Sequence, residues 1–190
     1  MNALIETGSL SGFDRNAGIG ASEMAKALGV SQFGTQLDLY LLKRGEAEPD
    51  AENLSMSVGK ALEPIVLAEF ERTSGLTVID RQRRLPHPRL DFVWATIDGA
   101  TLEPGAVVEA KTSGSRQGWG EPGSSDIPAD YLIQTQTQMA CLCVGYAFVP
   151  VIFGGREFAL YCVEADAELQ EMIETGAAEF WRNVLGFLGL

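Results

Sequence analysis

Apolar residues in the first third of the chain recur at helical spacing. A short pattern spans Ser22 to Leu28, entered through Gly18 and Gly20 and closed by Gly29. Thr35 with Asp38 has capping-box character and predicts a second helix, Gln36 to Arg44, ended by Gly45. Val58, Leu62, Ile65, Val66 and Phe70 share one side of a third, from about Ser57 to Thr73, with Gly75 after it. From Leu76 the texture changes. Leu76 to Leu85 and Asp91 to Ile97 read as strands separated by Pro-His-Pro at 86–88. Ala106 to Thr112 reads as another, preceded by a turn-like stretch from Asp98 to Gly105. Glycine and serine in Ser113 to Asp126 predict a mobile loop. Pro128 opens a helix to about Cys143. Tyr146 to Phe153 and Glu157 to Val163 are strand-like runs joined by Gly-Gly-Arg, and Asp166 begins an amphipathic helix through Leu169, Met172, Ile173, Phe180 and Val184. The order ααα-βββ-α-ββ-α predicts an α/β (mixed α+β) fold, a central mixed β-sheet flanked by helices. With no repeat, low-complexity tract or dividing linker, residues 1–190 are expected to form a single domain.

The segment Ala-Thr-Ile-Asp-Gly and the later Val-Val-Glu-Ala-Lys, with ten residues between Asp98 and Glu109, carry the chemistry. Residues two apart on a strand face one way, so Glu109 and Lys111 project together. A hairpin across 99–105 would bring Asp98, at the end of one strand, beside Glu109 on the other. Two carboxylates repel each other, and a divalent cation relieves the repulsion by taking both as oxygen ligands. Such a cation polarises a phosphodiester and acidifies its bound water, which the lysine can orient. An exposed cross-strand ion pair fits the spacing equally well; the flanking Val107 and Val108 favour an interior strand, where unpaired charge is costly. Glu63 is a third candidate carboxylate. It borders an apolar helix face next to Pro64, and it reads either as a ligand reaching inward or as a boundary glutamate beside a first-turn proline.

Composition changes this picture little. The net charge of −12 counts mildly against nucleic acid as a partner, but Arg81, Arg83, Arg84 and Arg89 fall close together and leave room for a local basic groove. No apolar run approaches the roughly 20 residues of a membrane span. The first ten residues lack the basic and apolar regions of a signal peptide. Cys141, Cys143 and Cys162 are expected to be buried free thiols in a reducing cytoplasm, and three cysteines do not make an iron–sulfur site. His87, between two prolines, is expected to have no catalytic role.

Five pieces in order, from about Arg15 to Trp181, resemble the YqaJ-type viral recombinase family, which includes phage lambda exonuclease and belongs to the PD-(D/E)xK nuclease superfamily. They are Arg-Asn-Ala-Gly-Ile-Gly-Ala-Ser-Glu at 15–23, Gly-Lys-Ala-Leu-Glu-Pro at 59–64, the Thr-Ile-Asp-Gly and Glu-Ala-Lys core, Tyr-Leu-Ile-Gln-Thr-Gln at 131–136, and Phe-Gly-Gly-Arg-Glu-Phe at 153–158. The resemblance implies a restriction-endonuclease-like core. It implies Asp98 and Glu109 as metal ligands with Glu63 nearby, the backbone carbonyl of Ala110 as a further ligand, Lys111 positioning the attacking water, and Gln134 as the active-site glutamine. On a helix Gln134 shares a face with Tyr131 and Gln138, though a surface amide in a polar run reads equally from the residues. Arg15 and Ser22 match positions that bind a 5′-phosphate, a role suited to a guanidinium and to a hydroxyl beside free backbone N–H groups. Simple N-capping by Ser22 is compatible with it.

The implied activity is a Mg²⁺-dependent 5′-to-3′ exonuclease acting on double-stranded DNA ends and leaving 3′ overhangs for recombination by strand annealing, with Mn²⁺ able to substitute. A homotrimeric ring, a single-strand annealing protein as partner, and the cytoplasm of a bacterial or phage-infected cell follow from the same resemblance. An endonuclease on the same core, or a catalytically silent DNA-binding protein, are the rival expectations. The chain departs from the family pattern at Ile97, where relatives carry proline, and in Ser-Gly-Ser-Arg-Gln-Gly-Trp-Gly at 113–120. The second departure leaves open whether Arg116 contacts DNA or Trp119 stacks on a base.

Overall fold

A computed structural model describes residues 15–186 of the chain. The expectation for the first ten residues lies outside them. The molecule is organised around β3 (Val93–Ile97), which runs on into β4 (Gly99–Thr101) with only Asp98 between them. β1 (Ile19–Gly20) lies parallel to β3 on one side and β2 (Arg83–Pro86) antiparallel on the other. β4 turns back through 102–105 into β5 (Ala106–Val108), with Gly99 opposite Val108.

β5 and β6 (Lys111–Ser113) both lie parallel to β7 (Tyr146–Phe153) at one offset, Val108 opposite Phe148 and Lys111 opposite Val151. They are one strand whose pairing lapses at Glu109 and Ala110 without losing register. β8 (Glu157–Glu164) pairs antiparallel with β7. Val107, Val149, Val151 and Tyr161 are fully buried, which is why these strands read as apolar runs.

Among the described residues five α-helices cover the sheets: α1 (Met24–Ala27), α2 (Gln36–Lys43), α3 (Leu54–Ser74), α4 (Ala129–Leu142) and α5 (Ala167–Gly186). The Thr35–Asp38 capping box is present, each residue's side chain accepting the other's backbone N–H. α3 starts three residues before its apolar stripe because the Asn53 side chain accepts the Met56 N–H. α4 joins two cores. Met139 and Cys141 pack with the strands, while Ile133 packs with α1 and with Ile173, Phe180 and Val184 of α5. Each large apolar side chain buried there stabilises by roughly 1.5–3 kcal/mol. Met172, expected on that stripe, is exposed.

Other expectations are corrected. Of the two readings of Glu63 and Pro64 the helix boundary falls away: α3 runs unbroken through Pro64, as the expected helix did, held by Leu67 and Phe70 against Val78 and Val108. The expected strand Leu76 to Leu85 survives only as a bridge from Ile79 to Ala100 and as β2, because Asp80 and Gln82 take left-handed backbone angles between them. The expected turn 98–105 shortens, since Gly99–Thr101 is strand. The stretch 113–126 is tied down. Trp119 sits among Tyr131, Phe153 and Tyr161 with ring centroids 5.0–5.5 Å away, and Gly123 and Ser124 make backbone hydrogen bonds to Leu160 and Cys162. The cysteines are free, but only Cys141 is buried.

Candidate active site

Asp98 occupies the joint between β3 and β4, and Glu109 the point where the neighbouring strand lapses. The pairing of Gly99 with Val108 sets the two acidic residues side by side. Ala110, in the lapse, donates its backbone N–H to Asp98 Oδ2 (2.9 Å). Glu109 is 3% exposed. Its Oε1 accepts from Lys111 Nζ (2.8 Å) and Gln134 Nε2 (2.5 Å), and its Oε2 from Gln138 Nε2 (2.6 Å). Lys111 Nζ also donates to Gln134 Oε1 (3.1 Å) and lies 4.8 Å from the centroid of the Tyr131 ring. Tyr131, Gln134 and Gln138 lie on the helical face expected of α4, and the Gln134 amide is turned to Glu109 and Lys111. Glu63 reaches the group from α3: the Gln82 amide donates to Glu63 Oε1 (2.7 Å) and Asp98 Oδ1 (3.2 Å).

Charge is unbalanced here. Burial, then the charge of Glu109, with Glu63 adding and Lys111 opposing, pushes the Asp98 carboxyl up to about 8. Burial works to lower Lys111, but the charge and hydrogen bond of Glu109 hold its ammonium above the usual lysine range. Three carboxylates around a single ammonium, all offering oxygen, suit a hard divalent cation. Among the described residues no three acidic, histidine or cysteine side chains already form a metal cage. Glu109 Oε1 accepts twice, but Oε2 accepts only from Gln138 and keeps an acceptor position, while Asp98 and Glu63 face each other across the Gln82 amide.

Arg15 and Ser22 are exposed on 3₁₀ turns, Arg15–Ala17 and Ala21–Glu23. The second turn packs against α4 and β3. Among the described residues no hydrogen bond joins either residue to the carboxylates. Ser22 is not an N-cap, because the turn begins from Gly20, whose N–H donates to Glu23 Oε2 (2.9 Å). The segment is held by Lys43, whose buried ammonium donates to the Arg15 carbonyl and to Glu23 Oε2, both at 2.7 Å, and lies 5.7 Å from the centroid of a Trp94 ring. Gly18 has no room for a side chain, since a Cβ would collide with the Phe92 carbonyl and the Trp94 ring. Gly18→Ala is therefore expected to displace this segment and lower the melting temperature by several degrees, at about 1–3 kcal/mol for an overpacked site. Thermal unfolding checks it.

Other sequence candidates are excluded from the centre. Trp119 is enclosed by aromatic rings, and Arg116 pairs with Glu157 above Phe153. Of the arginine cluster, Arg81, Arg83 and Arg89 are paired with Glu71, Asp80 and Glu174. His87 is buried and accepts the Arg89 and Leu90 N–H groups, a structural role. Gln82, Gln138 and the ring of Tyr131 are site features that residue type and spacing left unassigned. For Gln138 the helical spacing from Gln134 was a usable signal; for Gln82 no local signal exists.

Residues 13–146 match the YqaJ-like viral recombinase domain. The uncharacterised protein YqaJ of Bacillus subtilis (strain 168) is 35% identical over 178 residues, 91% of this chain and 55% of that protein; the chain thus spans about half the length of this curated relative. Among solved structures, the alkaline exonuclease LHK-Exo from Laribacter hongkongensis superposes with a TM-score of 0.75 at 20% identity, covering 90% of each chain. A phage-related exonuclease from Haemophilus somnus 129PT gives 0.67 at 13% identity, covering 90% of this chain and 96% of that one. The shared architecture is the PD-(D/E)xK fold.

Proposed function

The chain belongs to the YqaJ-like viral recombinase family, and from that premise we propose that it is a Mg²⁺-dependent exonuclease that degrades one strand of duplex DNA from a 5′ end and leaves a 3′ overhang. The observation that carries this reading is the convergence of Asp98, Glu109, Lys111 and Gln134, with Glu63 bridged to Asp98 by Gln82, at one break in the sheet. A structure of LHK-Exo with dAMP bound, at a TM-score of 0.73, supports a nucleotide as product.

Asp98, Glu109 and Glu63, with the carbonyl of Ala110, would hold Mg²⁺, or Mn²⁺ in its place. When bound, the cation supplies positive charge to the scissile phosphate and acidifies water. Lys111 orients the attacking water. Its ammonium is held in place by Glu109, Gln134 and the Tyr131 ring. Arg15 and Ser22 anchor the 5′-phosphate of the degraded strand, and the buried Lys43 keeps their segment in place. The remaining parts of the proposal are residues 1–190 as one nuclease domain, a homotrimer around duplex DNA, and cooperation with a single-strand annealing protein in the cytoplasm of a bacterial or phage-infected cell. Among the described residues no helix is long and apolar enough to cross a membrane.

The test compares linear duplexes ending in 5′-phosphate or 5′-hydroxyl with a closed circle, all under Mg²⁺. Nucleotide release from the phosphorylated end is expected to be about 10–100-fold faster than from the hydroxyl end, the factor for losing charged hydrogen bonds of about 1.5–3 kcal/mol. The circle is expected to stay intact. Cutting of the circle would replace this reading with an endonuclease, and no hydrolysis under Mg²⁺ or Mn²⁺ would replace it with a catalytically silent DNA-binding protein.

A further inference from the structure

Opposite Asp98 the sheet contains an irregularity that places one more side chain on the centre. Arg83 pairs with Ile97 and Ile79 with Ala100. Between these pairs lie Asp80, Arg81 and Gln82 on one side, and Asp98 and Gly99 on the other. Three residues against two is a β-bulge, a device that re-aims a side chain. Here Asp80 and Gln82 have φ of 52° and 55°, angles that side chains other than glycine, asparagine and aspartate rarely adopt. Gln82 is exposed, so no burial of its own rewards this backbone. What the bulge achieves is the aim of the amide, whose single Nε2 donates to Glu63 Oε1 and Asp98 Oδ1. Glu63 belongs to α3 and Asp98 to the sheet joint, and the amide links the two elements where their carboxylates would otherwise repel.

We infer that Gln82 is a positioning residue of the metal centre, holding the Glu63 carboxylate against Asp98 so that both serve one cation. The inference rests on the metal-dependent reading above. The amide restrains Glu63 through Oε1 and leaves its Oε2 for the cation, while Asp98, whose Oδ2 also accepts the Ala110 N–H, offers the remaining lone pairs of its two oxygens. Loss of such an outer partner typically lowers metal affinity about 10–100-fold.

Two variants separate this role from a structural one. Gln82→Gly removes the amide and relieves the left-handed backbone, whereas Gln82→Leu removes the amide and keeps the strain. Mn²⁺ and Mg²⁺ binding is measured by titration calorimetry without DNA, and the metal-free proteins are melted. Both variants are expected to bind Mn²⁺ at least about 10-fold more weakly than the parent, with Gln82→Gly melting no lower than the parent. Unchanged or tighter binding in either variant, or weaker binding of Gln82→Gly accompanied by an equal loss of fold stability, overturns the role of Gln82 alone. A parent that binds neither cation overturns the metal-centre reading, and this inference with it.

Discussion

Lys111→Ala is expected to lower DNA cleavage by about 10²–10⁴-fold, the usual contribution of a positioned proton-handling group, while Mn²⁺ binding stays within a few-fold of the parent. The geometry separates the two effects. Glu109 keeps the Gln134 and Gln138 amides when the ammonium is removed, so its carboxylate remains oriented and partnered. Asp98 and Glu63 keep the Gln82 bridge. The variant pocket loses only positive charge, which does not weaken its hold on a cation. Asp98→Ala is expected to lose both properties. Single-turnover cleavage of a 5′-phosphorylated duplex and calorimetric Mn²⁺ titration measure them. A Lys111→Ala protein that cuts at the parental rate, or that loses metal as fully as Asp98→Ala, would remove Lys111 from its assigned place.

The two sheet carboxylates are expected to respond oppositely to neutralisation in the metal-free protein. Glu109 is an acceptor for Lys111, Gln134 and Gln138 at once. Glu109→Ala leaves a largely buried ammonium and two amides without it, at about 3–5 kcal/mol, or a fall in melting temperature of roughly 10 °C for a chain of this size. Asp98 is the reverse case. Its carboxyl titrates near 8 instead of 3.8. The folded state therefore prefers it protonated; the stability this provides is complete below about 3.8 and is lost as pH rises through about 8. Asp98→Asn removes that loss while keeping an acceptor for the Ala110 N–H. The variant should melt above the parent at pH 8–9 and close to it near pH 4, with calorimetric melting across this range as the check. A cation entering the parent at neutral pH must displace a proton from Asp98, so Mg²⁺ should raise the melting temperature more at pH 8.5 than at pH 6. Melting shifts of the same sign for both variants at pH 8–9 would disprove this account of the pocket.

What could be read from residues alone followed the range of the forces involved. Helix caps are local, and the Thr35–Asp38 box and the Gly75 stop lie where their chemistry requires. Asp98, Glu109 and Lys111 were legible because a hairpin and a two-residue strand period suffice to bring them together. The helix through Pro64 was legible, but the place of Glu63 beside it stayed open between two readings, because a missing N–H is a local cost while the packing of Leu67 and Phe70 that outweighs it is not. The bulge at 80–82 is set by the distant pairs Arg83–Ile97 and Ile79–Ala100, so Leu76 to Leu85 reads as an uninterrupted strand and Gln82 as an ordinary polar residue. The Gln-Thr-Gln-Thr-Gln run at 134–138 looks solvent-facing. In the fold Gln134 and Gln138 serve the site, while Gln136 binds the Glu164 carbonyl and the Asp166 N–H at the entrance to α5.

The burial of Lys43 makes the molecule's response to ionic strength divide in two. Its side chain is fully enclosed beside Glu23, so mobile ions have no access to that pair and its strength changes little with added salt. The Arg15 guanidinium it helps to present stands in solvent, where counterions compete directly for a phosphate. Raising salt would thus empty the proposed 5′-phosphate site without dismantling it, so that binding of DNA termini there would fall with ionic strength while the segment keeps its shape.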